Sequence, residues 1–212
     1  MPRPRLSAEF VTSAVKPADL PRDGRPEIAL AGRSNVGKSS LLNALVRTAV
    51  ARTSGTPGKT RQVNVYRVTP GGGFPFYLID LPGYGHTSGG AKARAEFDGL
   101  TSLYFEHRIG LGSHSLEHGH PPATDPVLRG VVLAIDARHP GLASDIRAWH
   151  WLASLGVPHL LMATKIDKLS QAERARLATT CRQEFGQVPL VVSALDGTGL
   201  DELWQQLRGL TG

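Results

Sequence analysis

Eight consecutive residues of this 212-residue chain have the types and spacing that suit phosphate binding. They are Gly32-Arg33-Ser34-Asn35-Val36-Gly37-Lys38-Ser39, which matches G-x-x-x-x-G-K-[ST]. In such a loop the backbone N–H groups converge on phosphate oxygens, the lysine adds a full positive charge, and the serine hydroxyl ligates Mg²⁺. An apolar run at 28–31 precedes the loop, and a helix-like segment follows it, whose N-terminus adds partial positive charge. The pattern predicts a nucleotide site without selecting the base.

A second motif, Asp80-Leu81-Pro82-Gly83, comes directly after an apolar run at 76–79. An acidic residue at that place, downstream of a phosphate-binding loop, is suited to hold Mg²⁺ through water. The N–H of Gly83 could contact the γ-phosphate of a nucleoside triphosphate.

A third motif, Thr164-Lys165-Ile166-Asp167, selects the base. Guanine presents two adjacent donors, N1–H and the 2-amino group, and one carboxylate can accept both. Adenine has no such pair, so Asp167 would be left without partners. We expect the Lys165 stem to pack along the ring face, and a backbone N–H from Ser193-Ala194 to reach the guanine O6.

All these motifs follow strands of one predicted sheet. Apolar and alternating runs predict six strands, at 28–31, 62–68, 76–79, 130–135, 157–163 and 188–192. Helical spacing predicts a helix from the glycine loop to about 47 and others at about 90–106, 143–155, 172–185 and 200–210. Because strands and helices alternate along the chain, the sequence indicates an α/β fold with a mostly parallel six-stranded sheet, one antiparallel strand and helices on both faces. Ligands bind such sheets at the carboxyl ends of the strands, where the motifs lie.

The sequence predicts one domain with an N-terminal arm. Residues 1–26 contain five prolines and are expected to pack as an arm on the domain that spans 27–212. A His-rich stretch at about 107–126 has no periodicity and is expected to be a surface insertion. Its His114, His118 and His120 could approach one Zn²⁺, but the spacing is not a recognised ligand pattern, which favours a solvated loop.

Composition indicates a globular protein with an anionic partner. A net charge of +6 and a pI near 9.8 make nucleic acid the natural candidate. The single cysteine, Cys181, excludes an internal disulfide, fits a reducing cytoplasm, and has the spacing of a buried helix face with Leu177 and Phe185. No apolar run is long enough for a transmembrane helix and no secretory signal is recognisable, so we expect no membrane association.

The chain resembles the TRAFAC-class small GTPases, specifically the EngB/YihA family of bacterial ribosome-assembly GTPases, which is similar to Era and TrmE. Besides the three motifs, Thr56-Pro57-Gly58-Lys59-Thr60 and Asp136-Ala137-Arg138-His139-Pro140 carry the resemblance, in the family's order over nearly the whole chain. The resemblance implies a Ras-like fold, GTP or GDP with Mg²⁺, action as a monomer on the large ribosomal subunit or its precursor through rRNA, and a link to cell division and septation.

The motifs and the resemblance together assign the site residues. Lys38, Thr60, Gly83 and Asn35 are the catalytic candidates, Thr60 being the switch threonine that completes Mg²⁺ coordination and Asn35 the position that supports K⁺-dependent catalysis in related GTPases. The metal ligands are Ser39, Thr60 and Asp80. The nucleotide-binding residues are Gly32, Arg33, Ser34, Asn35, Val36, Gly37, Lys38, Ser39, Ser40, Gly58, Lys59, Thr60, Asp80, Leu81, Pro82, Gly83, Thr164, Lys165, Ile166, Asp167, Val192, Ser193 and Ala194.

The sequence departs from the family pattern at two places. Arg61 follows Thr60 directly, which displaces Gln62 from the usual Thr-Gln pairing, and the 107–126 insertion is longer than the family's.

Slow hydrolysis is expected, because Tyr84 stands where Ras-type enzymes have the glutamine that orients water. Switching is expected from γ-phosphate-dependent ordering of about 52–62 and 83–92. The positive charges in or beside these segments, which could make RNA contact depend on the nucleotide, are Arg52, Lys59, Arg61, Lys92 and Arg94. Two alternatives stay open from the sequence: a P-loop phosphotransferase, and an RNA-binding protein with a vestigial nucleotide site.

Overall fold

A computed structural model of the chain describes residues 5–51, 62–84, 99–110 and 127–211. Within these ranges seven strands form one mixed sheet in the order β1-β3-β4-β2-β5-β6-β7. The strands are β1 (Leu6–Ala14), β2 (Glu27–Gly32), β3 (Val63–Pro70), β4 (Phe76–Asp80), β5 (Leu128–Asp136), β6 (His159–Thr164) and β7 (Leu190–Val191).

The strand directions agree with the predicted α/β class. β4, β2, β5, β6 and β7 are parallel to one another, and β3 runs antiparallel to β4. The central strand, β2, is buried along its whole length between β4 and β5. A strand buried on both faces has a continuous run of apolar residues. The strand at 28–31 could therefore be recognised although its apolar and polar residues do not alternate.

The prediction of six strands was wrong by one, because part of the N-terminal arm is β1. This strand pairs antiparallel with β3 along Leu6 to Ala14, with a register shift between Phe10 and Thr12. The prolines that suggested an irregular arm flank the strand and none lies inside it. The register shift interrupts the alternation of apolar and polar residues, so the period of a strand was not recognisable.

Helices cover both faces of the sheet, as predicted. They are α1 (Lys38–Val46), α2 (Leu100–Ile109), α3 (Ala143–Ser154), α4 (Gln171–Phe185) and α5 (Leu200–Thr211). One core cluster contains residues of α1 and α5, and the other contains residues of α2, α3 and α4, including the fully buried Cys181. None of the helices described is both long enough and apolar enough to cross a bilayer.

Within the described residues, the helix predicted at about 90–106 continues beyond its predicted end to Ile109. α2 runs from Leu100 to Ile109, so the first residues assigned to the His-rich insertion form its last turn. Gly110 follows in the left-handed conformation at φ 71°, which ends the helix. The predicted positions 90–98 and 111–126, with His114, His118 and His120, lie outside the described residues.

A buried ion pair fastens α2 to the start of β2, at the end of the sheet opposite the glycine loop. Arg108 donates to both carboxylate oxygens of Glu27, at 3.0 and 2.6 Å, and also to the carbonyl of Pro21 at 2.8 Å. Tyr104 donates its hydroxyl to Glu27 at 2.9 Å. Because Glu27 and Arg108 are both buried, removing one would leave the other charge without compensation.

We predict that Glu27→Gln lowers the free energy of unfolding by about 3–5 kcal/mol, the usual cost of breaking a buried pair from one side. Chemical denaturation without nucleotide measures this. The matched control is Glu9→Gln, which breaks the exposed pair between Glu9 and Arg67 and should cost less than about 1 kcal/mol. Equal losses in the two variants would contradict the structural role given to Glu27.

Candidate functional site

The glycine loop joins the carboxyl end of β2 to the first residue of α1, as the sequence predicted. Asn35 and Gly37 adopt positive φ of 60° and 112°, which turns the chain into the helix. Gly32 lies so close to β5 that a Cβ there would stand 2.6 Å from the carbonyl oxygen of Ala134. The loop is therefore positioned by close contact with the neighbouring strand.

Lys38 places a positive charge beneath the loop. Its side chain is buried, and Nζ donates to the carbonyl of Gly32 at 3.2 Å. Burial lowers the pKa of Lys38, and the nearby negative charge of Asp80 acts in the opposite direction. A buried ammonium beside a loop of N–H groups is suited to bind an anionic phosphate oxygen.

Ser39 and Asp80 form the part of the site that could hold a metal ion. The Ser39 hydroxyl donates to Asp80 Oδ2 at 3.0 Å, while the buried Oδ1 has no hydrogen-bond partner among the described residues. Burial raises the pKa of Asp80, against the charge of Lys38 and the hydrogen bond from Ser39. A hydroxyl and a carboxylate with an unused oxygen fit Mg²⁺, which is commonly held by few protein ligands together with phosphates. Among the residues that the structure describes, no cluster of three His, Cys, Asp or Glu side chains could hold a metal ion.

The residues after Asp80 lie directly against the glycine loop. Ser34 donates its backbone N–H to the carbonyl of Tyr84 at 3.0 Å and its hydroxyl to the carbonyl of Gly83 at 3.1 Å. A Cβ on Gly83 would stand 2.7 Å from Ser34 backbone atoms, so only glycine fits without a shift. The side chains of Leu81 and Tyr84 are buried in the core. The segment therefore contacts the loop through the backbone of Gly83 and Tyr84.

The Thr164-Lys165 end of the third motif is connected to the same loop. The Thr164 hydroxyl lies 2.6 Å from the carbonyl oxygen of Val36, and Lys165 Nζ donates to the carbonyl of Asn35 at 2.7 Å. The backbone of Lys165 is in the left-handed conformation, with φ 61°. Its Nζ also donates to Asp136 Oδ2 at 2.9 Å. The structure thus joins residues that are about 130 positions apart in the chain.

Asp167 is oriented by the loop that follows β7. The Ser193 hydroxyl donates to Asp167 Oδ1 at 2.8 Å and in turn accepts from the N–H groups of Leu195 and Asp196. The N–H of Ser193 itself donates to the carbonyl of Thr198 at 3.0 Å. Of the predicted Ser193-Ala194 pair, the serine therefore acts through its side chain, and only the Ala194 N–H stays a candidate donor to a base.

Asp136 and Arg138 belong to this end of the site, although no role was predicted for them from the sequence. Arg138 donates to both oxygens of Asp136, at 2.9 and 2.7 Å. Burial opposes ionisation of Asp136, but the hydrogen bonds from Arg138 and Lys165 hold its pKa well below the usual value. The Asp-x-Arg spacing at the end of a predicted strand was the available sign.

Several predicted residues do not line the site through their side chains, and others lie outside the described residues. Ser40 is exposed on α1, while Ile166 and Val192 are buried and hydrogen-bond to each other through the backbone. Gly58, Lys59 and Thr60 lie outside the described residues.

Solved structures with the same fold include two GTP-binding proteins. A structure of Era in complex with MgGDPNP and nucleotides 1506–1542 of 16S ribosomal RNA has a TM-score of 0.67 and 21% identity, with 88% of this chain and 57% of that chain covered. A probable GTP-binding protein engB has a TM-score of 0.63 and 20% identity, with 87% and 98% covered. The chain therefore spans little more than half of that Era protein but nearly all of the engB structure.

Fold and site together define a GTPase with a Ras-like fold. A family model described as "50S ribosome-binding GTPase" matches residues 27–114. The "Probable GTP-binding protein EngB" of Solibacter usitatus is 42% identical over 203 residues, which cover 95% of each protein. The chain belongs to the EngB family of GTP-binding proteins. This membership confirms the resemblance drawn from the sequence and argues against the phosphotransferase alternative.

Proposed function

We propose that this GTPase is a slow cytoplasmic switch that acts, as a monomer, in assembly of the large ribosomal subunit. The observation that carries the proposal is the contact of Lys165 with Asn35, because it joins a base-reading motif to a phosphate loop in one site. By resemblance to the family, we extend the proposal to a requirement for normal cell division and septation.

At the phosphate end, Lys38 binds the β- and γ-phosphates and the Gly83 N–H contacts the γ-phosphate. Ser39 and Asp80 would hold Mg²⁺, with Thr60 completing the set in the GTP state. The ion, when bound, would neutralise negative charge on the phosphate oxygens. The unused, buried oxygen of Asp80 supports this assignment.

At the base end, the Asp167 carboxylate accepts from N1–H and the 2-amino group of guanine. The hydrogen bond from Ser193 fixes the orientation of that carboxylate, which supports its use as a rigid acceptor. The Ala194 N–H donates to O6, since the neighbouring Ser193 N–H is already bonded to Thr198.

We predict that Asp167→Asn weakens GTP binding by roughly 10²-fold. The asparagine side chain is uncharged, and its NH₂ group would face one of the two guanine donors and could not accept a hydrogen bond from it. The same variant should bind XTP better than the wild type does, since xanthine carries a carbonyl in place of the 2-amino group. Titration of fluorescent GTP, XTP and ATP measures both effects. Full retention of the guanine preference would refute the assignment of Asp167.

Hydrolysis is slow because the water-orienting glutamine of Ras-type enzymes is absent from its place. Tyr84 is there, and its hydroxyl donates to the buried Asp145 at 2.9 Å, so this side chain belongs to the core. A K⁺ ion bound near Asn35, an exposed residue in the glycine loop, partly compensates for the missing glutamine.

We therefore expect single-turnover GTP hydrolysis to be at least about tenfold faster in K⁺ than in Na⁺, through electrostatic stabilisation of the transferring phosphoryl group. Asn35→Ala should abolish the difference between the two cations, and a GDP titration of the same variant distinguishes this effect from a loss of nucleotide binding. Fast turnover of the free protein that is equal in both cations would exclude this role.

The ribosomal partner is supported by charge and by relatives. The net charge of +6 suits an RNA surface, the matching family model is described as a ribosome-binding GTPase, and the Era structure contains ribosomal RNA.

Sedimentation with purified subunits tests the partner. We expect binding to the large subunit, more with a non-hydrolysable GTP analogue than with GDP, that weakens as salt is raised. The small subunit serves as the control. Equal binding with the two nucleotides would favour an RNA-binding protein with a vestigial switch.

A further inference from the structure

A buried carboxylate on α3 connects the glycine loop to the start of the second switch segment. Asp145, in the first turn of α3, is fully buried. Its Oδ1 accepts the Tyr84 hydroxyl at 2.9 Å and lies 3.2 Å from Nε of Arg33. One oxygen atom thus contacts a side chain of the glycine loop and a side chain of the Asp80–Tyr84 segment.

The two residues that Asp145 contacts are also backbone neighbours. Arg33 and Tyr84 form a parallel bridge beyond the ends of β2 and β4, next to the hydrogen bond from Leu81 to Leu30. Ser34, the next loop residue, donates hydrogen bonds to the carbonyls of Gly83 and Tyr84. The contacts of Asp145 with the side chains of Arg33 and Tyr84 therefore hold together the same two segments that these backbone hydrogen bonds join.

The buried environment of the Asp145 carboxylate does not favour the stability of the fold. Its second oxygen, Oδ2, is buried without a hydrogen-bond partner in the described part of the chain. Burial raises the pKa of Asp145, and the charge of Arg33 opposes that effect. Apolar side chains in place of Asp145 and Arg33 would avoid the free-energy cost of burying charge. A role in positioning the two segments therefore explains this pair better than a contribution to the stability of the fold.

We propose that Asp145 is a positioning residue for the GTPase reaction, which holds Gly83 against the glycine loop at the place where the γ-phosphate binds. This inference rests on the proposed contact between the Gly83 N–H and the γ-phosphate. GDP has no γ-phosphate, so the position of Gly83 affects GTP and leaves GDP binding unchanged.

The test compares variants for GTP-analogue affinity, GDP affinity and single-turnover hydrolysis. Asp145→Asn, which keeps the size of the side chain, should lower the GTP-to-GDP affinity ratio and the hydrolysis rate by roughly tenfold, the scale of one charged hydrogen bond. Tyr84→Phe removes the donor and should act in the same direction, with less than additive effects in the double variant. The matched control is Asp201→Asn, which replaces an exposed acid in the first turn of α5 and should change neither quantity.

A parallel measurement on Gly83→Ala separates the two hypotheses. If this variant lowers the affinity ratio while Asp145→Asn and Tyr84→Phe do not, the role of Asp145 is overturned and that of Gly83 stands. If Gly83→Ala leaves the ratio unchanged, both are overturned. Equal losses of GTP and GDP affinity in the Asp145 and Tyr84 variants, with lower thermal stability, would mean that the cluster only stabilises the fold.

Discussion

The parallel pairing of β2 with β4 and β5 is the constraint on which the site depends. Leu30 lies opposite Asp80 in one pair, and Gly32 lies opposite Ala134 in the other. Because the three strands are parallel, their carboxyl ends lie at one edge of the sheet, where the glycine loop, Asp80 at the end of β4 and Asp136 at the end of β5 come together. A change of register by one residue would turn every side chain of β2 to the other face and separate these groups.

Both ends of β2 carry buried charges, but the two ends serve different purposes. At the start of the strand, Glu27 and Arg108 satisfy each other with two hydrogen bonds, and a helix is held in place. At the other end, Lys38 and Asp80 retain unused hydrogen-bonding capacity. Incomplete satisfaction of buried polar groups is typical of a binding site, since the ligand supplies the remaining partners.

The sequence predicted the elements that have strong local patterns and missed the features that depend on distant residues. β2 and α1 were recognised because an apolar run, a glycine loop and a helical period adjoin each other. β7 proved shorter than 188–192, since Pro189 has no N–H for the sheet. The pairing of Tyr84 with Asp145 joins residues 61 positions apart, and no local spacing could indicate it. Motif residues could be assigned to the site, but not the way in which Ser193 acts through its hydroxyl.

The N-terminal strand has a consequence for the behaviour of the chain in concentrated solution. β1 lies at the edge of the sheet and covers β3, which would otherwise present its unpaired N–H and C=O groups to other molecules. β1 itself combines a register shift near Phe10 with the exposed charge of Glu9, two features that discourage pairing with another chain. Loss of the first 14 residues would therefore expose β3 as a template for self-association.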